Sequence, residues 1–359
     1  MQLVRQAPVE ERPLRQVGIP RPEPGPDELR IKVKACGLCH TDLHEVEGDL
    51  ELPKLPLVPG HEIIGFVDRL GEGVSGPAAG TRVGVPWLYS TCGKCRYCRS
   101  GRENLCENIR FTGFSVDGGY AEYVVVPARF CYPVPDRFSH TEAAPLMCAG
   151  VIGYRALGVA GVRDSGVRDS GVQGFKGADG TGPPLEPSDP RPLEPFRLGL
   201  YGFGASAHIC LQVAKHWNWQ TAVFTRAQRH KDLAHELGAD WVGEADDEPP
   251  WKLDSSIIFA PAGELVPKAL GHLDKGGTLA HAGIHSSPIP GFDYDLIYQE
   301  RTFRSVANST RQDVIDLLAL ADEIPLRTTV EEFPLEQANE ALLKVKHSHT
   351  RAAAVLTVG

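Results

Sequence analysis

No apolar run in this chain of 359 residues reaches the ~18 residues that a membrane-crossing helix needs, so no membrane association is expected. The opening stretch, MQLVRQAPVEERPLRQ, lacks the apolar core of a secretion signal, and the expected location is the cytoplasm. Basic residues are outnumbered. There are 37 Lys and Arg against 46 Asp and Glu, the formal charge is −9, and no basic run stands out. That balance argues against nucleic acid or another polyanion as a partner. What remains is the make-up of an ordinary folded enzyme. Hydrophobic residues at 42% and charged residues at 23% sit near globular averages, and the length suggests about two domains.

Nine cysteines in a chain that is not exported imply a reducing compartment. Four of them, Cys92, Cys95, Cys98 and Cys106, fall in CGKCRYCRSGRENLC with the spacing C-x2-C-x2-C-x7-C. Two disulfide bridges are one reading. In a reducing compartment clustered cysteines more often ligate metal. Four thiolates at this range form a closed tetrahedral zinc shell with no open position for substrate. The site is therefore expected to be structural, with the chemistry elsewhere.

Residues 1–150 read as β-rich, with short apolar alternations such as LRIKVKAC and HEIIGFVDRL separated by Gly and Pro. From Leu198 onward, strands alternate with helices: RLGLY, a Gly-rich turn and HICLQVAKH, then TAVFT, AQRHKDLAHELG, SSIIFAPAG, GELVPKALGHL and GGTLAHAGI. Such alternation predicts an α/β fold with a doubly wound parallel sheet. The expected division is one unit over 1–150, completed by 308–359, and a second over 151–307. The segment 161–195 breaks the pattern. It carries the tandem GVRDSGVRDSG and then GPPLEPSDPRPLEP, too poor in apolar residues to offset its ordering entropy, and it reads as a surface loop or linker.

Three further metal-binding side chains lie far apart: Cys39 in CGLCHTDLH, His61 in PGHEIIG and Cys148 in APLMCAGVIGY. Singly, each is a buried thiol or a satisfied histidine. Together they make a shell of two cysteines and one histidine, which leaves a catalytic zinc one open position. A cofactor motif follows at Gly202, Gly204 and Ala207, in GFGASA between RLGLY and HICLQVAKH. Glycines there permit a tight turn and close approach of backbone to a pyrophosphate, which the helix N-terminus favours. The next strand ends at Thr225 and Arg226, where NAD-selective sheets carry an acid for the ribose 2′-hydroxyl. With no carboxylate to repel a 2′-phosphate and a guanidinium to pair with it, NADP(H) is favoured over NAD(H). The alternative is that Arg226 is a solvated loop residue.

CGLCHTDLH, PGHEIIGFV, the four-cysteine loop, DGGYAEY and GFGASA occur in this order, and the chain closely resembles the medium-chain zinc-dependent alcohol dehydrogenases. The likeness covers nearly everything except 161–195. VPWL, LMCAGVIGYRAL and ERTFRSVAN resemble the bacterial alcohol-preferring branch. The resemblance implies a β-rich GroES-like catalytic domain, a Rossmann domain and two zinc ions per chain. It implies that Cys39, His61 and Cys148 ligate the catalytic zinc, that Asp42 orients the ligand histidine, and that Glu62 approaches the metal. Thr41 and His44 match the proton relay, and His40 and Arg351 the basic residues near the cofactor pyrophosphate. Leu50 and Trp87 match pocket positions that limit substrate size. Ile152 stands where the family more often has threonine.

Taken alone, Asp42 is equally a helix-start or turn residue, Thr41 a cap, Glu62 a solvated strand residue, and His40 and His44 loop or surface histidines. Cys36, Cys131 and Cys210 match no ligand position and read as small buried hydrophobes. The implied activity is interconversion of small primary alcohols and aldehydes by hydride transfer with a nicotinamide cofactor, in a homodimer or homotetramer. An NADPH-dependent aldehyde reductase of the aryl or allyl alcohol type is the nearest alternative. A non-catalytic zinc protein on the same fold is a more distant one, and both metal motifs disfavour a zinc-free quinone reductase.

Overall fold

The computed structural model describes residues 1–161, 195–347 and 349–359. The segment read as a loop at 161–195 lies outside them, save for its two end residues. The first sheet is built on the strand Glu28–Leu38. In its front half Leu29, Ile31 and Val33 are buried on one face, while on the other Lys32 is exposed and Arg30 is buried in ion pairs with Glu23 and Asp68. From Ala35 to Leu38 every residue is buried. The reason is that neighbouring side chains enter two different cores, Ala35 one and Cys36 the other. This doubly covered end leads directly into the CGLCH segment, which is thereby anchored at the base of the site.

Strands Glu62–Leu70, Arg82–Val85 and Tyr132–Pro133 follow on one side of Glu28–Leu38. Ala353–Thr357 and then Val330–Pro334 follow on the other, and Tyr123–Pro127 also pairs with it. Strands from the beginning and the end of the chain thus lie in one sheet. All pairings in this sheet are antiparallel except that of Val330–Pro334 with Ala353–Thr357.

The second sheet has six strands, all parallel, in the order Trp241–Gly243, Gln220–Phe224, Arg197–Tyr201, Leu253–Ile258, Leu273–His281, Thr302–Ser305. Numbered along the chain this is the order 3-2-1-4-5-6 of a doubly wound Rossmann sheet. Its central strands are buried along nearly their whole length, as parallel strands covered on both faces must be. The order reverses between Arg197–Tyr201 and Leu253–Ile258, and the crevice for a dinucleotide opens outside the carboxyl ends of the strands at such a point. The helix Ala149–Val159 packs on Ala205–His216. One apolar core holds Ala35, Ile64 and Val355 of the first sheet together with Leu198, Leu200 and Ile257 of the second. Among the described residues no helix is long and apolar enough to cross a membrane.

Candidate active site

The four-cysteine loop folds as a cradle for one cation. Cys95 precedes the short helix Arg96–Arg99, Cys98 lies within it, and Cys106 follows the turn Glu103–Leu105. The sulfur atoms of Cys95 and Cys98 are 3.5 Å apart, those of Cys92 and Cys98 3.9 Å, and all four lie within 4.8 Å of one another. A tetrahedral zinc with ~2.3 Å bonds sets its sulfurs about 3.8 Å apart, whereas a disulfide needs ~2.05 Å. All four cysteines are free thiols, so the bridged reading falls. The amides of Lys94 and Cys95 pull the Cys92 thiol down to about 6. Burial and the neighbouring thiols push Cys98 up to about 11. Binding a dication would release the protons that remain.

The second cradle is assembled from distant parts. Cys39 caps the helix His40–Glu47 and Cys148 caps Ala149–Val159, so both sulfurs stand at helix N-termini, where negative charge is favoured. His61 immediately precedes the strand Glu62–Leu70. Its Nε2 is 3.3 Å from the Cys39 sulfur. Donor atoms of Cys39, His61, Glu62 and Cys148 all lie within 4.8 Å of one another. A tetrahedral zinc would hold sulfur and imidazole nitrogen about 3.6 Å apart, so the donor set fits that metal. Hydrogen bonding with Cys148, helped by His61 and the Thr41 side chain, holds the Cys39 thiol well below its ordinary range. A metal ligand needs that thiolate character.

Asp42 lies between Cys39 and His61, fully buried. Its Oδ2 accepts the Cys39 N–H at 2.9 Å, completing a capping box, and its Oδ1 lies 3.4 Å from Nδ1 of His61. One carboxylate thus caps the helix and stands beside the imidazole, with no hydrogen bond closed between its Oδ1 and Nδ1 of His61 among the described residues. Glu62 is not the solvated strand residue it resembles in isolation. It is 1% exposed, and burial pushes its acid well above the usual range. The strand register sets Glu62 opposite Gly37, where a Cβ would collide with its carboxylate. Glycine at that position is what lets the acid point inward.

Thr41 and His44 are buried on the same short helix. Nδ1 of His44 lies 2.8 Å from Oδ2 of Asp49. His40 is exposed, its ring 6.5 Å from that of His44. Trp87 is both core aromatic and site wall. It stacks on Phe111 at 4.8 Å and meets the His61 ring edge-on at 4.7 Å. Leu50 and Ile152 are half-buried, with their amides donating to the carbonyls of His44 and Cys148.

At the cofactor motif, Gly202 ends the first strand of the parallel sheet with φ 82°, a conformation that favours glycine. Gly204 caps the helix Ala205–His216, and a Cβ there would meet nothing within 4 Å, so its backbone is open to approach. Ala207 is fully buried under the helix. Thr225 is buried, its amide donating to the Gly243 carbonyl at 2.8 Å. Arg226 is exposed, and among the described residues it has no ion-pair or hydrogen-bond partner. Arg351 is placed differently from Arg226. Its guanidinium pairs with the Glu236 carboxylate at the end of the helix Gln228–Glu236.

Sequence reasoning missed four residues. Glu45 is fully buried with both carboxylate oxygens unpartnered among the described residues, and burial pushes its acid well up. Its one signal is that it stands three residues from Asp42 on the same helix. Asp49 stands just past the end of the helix His40–Glu47, and no local pattern marks it as the partner of His44. His285, in the loop after Leu273–His281, brings its ring 5.2 Å from that of His44, and no local pattern marks it. His208 lies one turn into the cofactor helix. Its Nδ1 is 3.3 Å from the Gly204 carbonyl, and Nε2 accepts the Thr329 amide at 3.3 Å. Burial pushes this imidazole down to about 4.

A cradle suited to a Lewis-acid metal, set in a chain that also carries a dinucleotide sheet, defines a class of protein: nicotinamide-dependent oxidoreductases acting on an alcohol or carbonyl oxygen. Comparison with known proteins narrows the class. Residues 25–136 match the alcohol dehydrogenase GroES-like domain. The chain is 43% identical over 363 residues to the probable alcohol dehydrogenase AdhA of Mycobacterium tuberculosis, covering 99% of this chain and 96% of that one. It is 33% identical over 357 residues to an alcohol dehydrogenase of Geobacillus stearothermophilus, covering 97% of each. The solved alcohol dehydrogenase of Aeropyrum pernix superposes with a TM-score of 0.80 at 26% identity over 99% of both chains. The chain belongs to the medium-chain zinc-dependent alcohol dehydrogenase family, and it is an oxidoreductase acting on alcohols.

Proposed function

We propose that this dehydrogenase interconverts small primary alcohols and aldehydes, binds two zinc ions per chain and prefers NADP(H) to NAD(H). The observation that carries the reading is the convergence of Cys39, His61 and Cys148 within 4.8 Å, beside Thr41 and His44. Held there, zinc supplies Lewis acidity and the nicotinamide cofactor a hydride acceptor. Asp42 fixes the tautomer of His61 and so directs Nε2 to the metal. The Thr41 hydroxyl receives the alcohol proton and hands its own towards Nε2 of His44. Trp87, backed by Phe111 and Phe114, walls the pocket and with Leu50 limits substrate size. Cys92, Cys95, Cys98 and Cys106 hold the second zinc in a structural role.

The Gly202–Gly204 turn receives the pyrophosphate, with His40 beside it. Arg226, exposed after the second strand of the parallel sheet and without a partner among the described residues, pairs with a 2′-phosphate next to Thr225. Arg351 reaches the pyrophosphate only by leaving Glu236. We take the catalytic domain as 1–150 with 308–359 and the cofactor domain as 151–307, acting in a reducing cytoplasm. A homodimer or homotetramer is supported by the edge strand Thr302–Ser305, exposed throughout and carrying Phe303, with Tyr294 and Tyr298 exposed just before it in the chain.

Aryl or allyl aldehydes with NADPH form a second reading, favoured by the aromatic wall of Trp87, Phe111 and Phe114. Initial rates on a panel of aliphatic and aryl alcohols and aldehydes, each with both cofactors and on protein of measured zinc content, decide between the readings. Comparable catalytic efficiency for benzylic and short aliphatic alcohols would remove the small-substrate reading. No turnover at full zinc occupancy would remove both.

A further inference from the structure

The relay helix ends in a turn built around His44. Gly48 terminates His40–Glu47 with φ 93°, the left-handed conformation that glycine tolerates at a helix C-terminus. The chain then folds back on itself. The amides of Gly48 and Leu50 both donate to the His44 carbonyl, at 3.1 and 3.2 Å. Gln6 clamps the same turn, its Nε2 donating to the carbonyls of Glu45 and Leu50 at 2.7 Å each. The residue held between these anchors is Asp49, whose Oδ2 lies 2.8 Å from Nδ1 of the His44 ring.

A carboxylate can only accept, so the His44 proton sits on Nδ1 and Nε2 is left as the acceptor. When Nε2 takes up a proton, the resulting imidazolium stands beside a negative charge. Two more imidazoles face the ring, His285 at 5.2 Å from the cofactor-side sheet and His40 at 6.5 Å. The helix Ala338–Lys346, packed on the relay helix, presents Lys346, which is paired with Glu47 and with Glu10 of Val9–Glu11 at 2.8 Å each. Glu45, on the relay helix itself, is buried.

We infer that Asp49 is the positioning residue of the relay, holding His44 in the tautomer whose Nε2 receives the alcohol proton. In that step the alcohol O–H bond breaks, the proton passes through the Thr41 hydroxyl, an N–H bond forms at Nε2, and the proton later leaves to solvent. The inference rests on the relay reading of His44. Its test uses zinc-loaded enzyme and the pH dependence of kcat for alcohol oxidation in the parent, Asp49→Asn, His44→Gln and the double variant.

Asparagine keeps an acceptor for Nδ1–H but loses the charge. The acidic limb should therefore move to lower pH by ~0.2–0.7 unit, the worth of a half-exposed pair. In the His44→Gln background Asp49→Asn should change nothing further. An unmoved limb in Asp49→Asn, or the same shift persisting without His44, overturns the assignment of Asp49. If His44→Gln itself matches the parent across pH, the relay reading fails, whatever Asp49 does.

Discussion

Replacing Asp42 by asparagine removes half of a double contact. The carboxylate accepts from the Cys39 amide at 2.9 Å and faces His61 Nδ1 at 3.4 Å. An amide of the same shape has one acceptor oxygen, so its NH2 must confront either the Cys39 N–H or the His61 N–H. If the cap contact is kept, His61 loses the partner that fixes its tautomer. Loss of such a partner typically lowers metal affinity ~10–100-fold, or about 1.4–2.7 kcal/mol. If the histidine contact is kept, the helix loses half its capping box, worth ~0.5–2 kcal/mol of stability. Both residues are fully buried, so little solvent enters to relieve either conflict. The assay is retention of the catalytic zinc against increasing chelator, followed by metal analysis and activity, with thermal unfolding measured alongside. Asp42→Asn should release that zinc at roughly tenfold less chelator or more, and excess zinc should restore activity. A chelator curve superimposing on the parent's, with an unchanged unfolding temperature, would refute the account of Asp42.

Three other outcomes are expected. Cys95→Ala should lower bound zinc by one per chain and reduce the unfolding temperature, because a structural zinc contributes folding free energy; equal zinc content by metal analysis speaks against the four-sulfur cradle. Arg226→Ala should raise KM for NADPH by about tenfold with KM for NADH nearly constant, and Thr225→Asp should turn preference towards NADH; a parent enzyme that favours NADH overturns this. His208 gives a pH signature: its folded pKa is depressed to about 4 from an ordinary 6.5. Below pH 6.5 the unfolded chain takes up a proton that the folded chain refuses, so stability present above the unfolded value is lost as pH falls towards the folded one, by up to ~1.4 kcal/mol per unit and about 3 kcal/mol in all. His208→Gln should flatten that acid limb in denaturant unfolding followed between those values, and a slope equal to the parent's excludes His208 as its source.

Much of the site depends on short stretches of chain, and those were legible. The spacing of Cys92, Cys95, Cys98 and Cys106 keeps all four sulfurs on one short stretch of chain, although Glu103 within it is also tied to the distant Arg311. Asp42 stands three residues from Cys39, so the capping box is a property of CHTD alone. The Gly202–Ala207 motif announces its turn and its helix, and the apolar runs alternating with helices announce a parallel sheet. In each case the deciding contacts are a few residues apart, and the chain has few other ways to make them.

Tertiary structure decided the rest. The short strands Trp241–Gly243 and Thr302–Ser305 have no local signal, because three or four residues gain a strand conformation only from the neighbour they pair with. Glu62, taken alone, reads as a solvated strand residue until strand register sets it against Gly37, and Glu45 carries no mark of its burial until the fold packs around it. Cys148 joins Cys39 and His61 only because two separate helix N-termini converge on one point. His285 comes to His44 because the loop after Leu273–His281 leans over the relay helix, and Arg351 comes to Glu236 across 115 positions of sequence. Residue type and spacing therefore determined which chemistry the chain can hold. The closing of long loops around two sheets determined which side chains meet, since a side chain's partners across such distances depend on sheet order, register and burial rather than on its immediate neighbours.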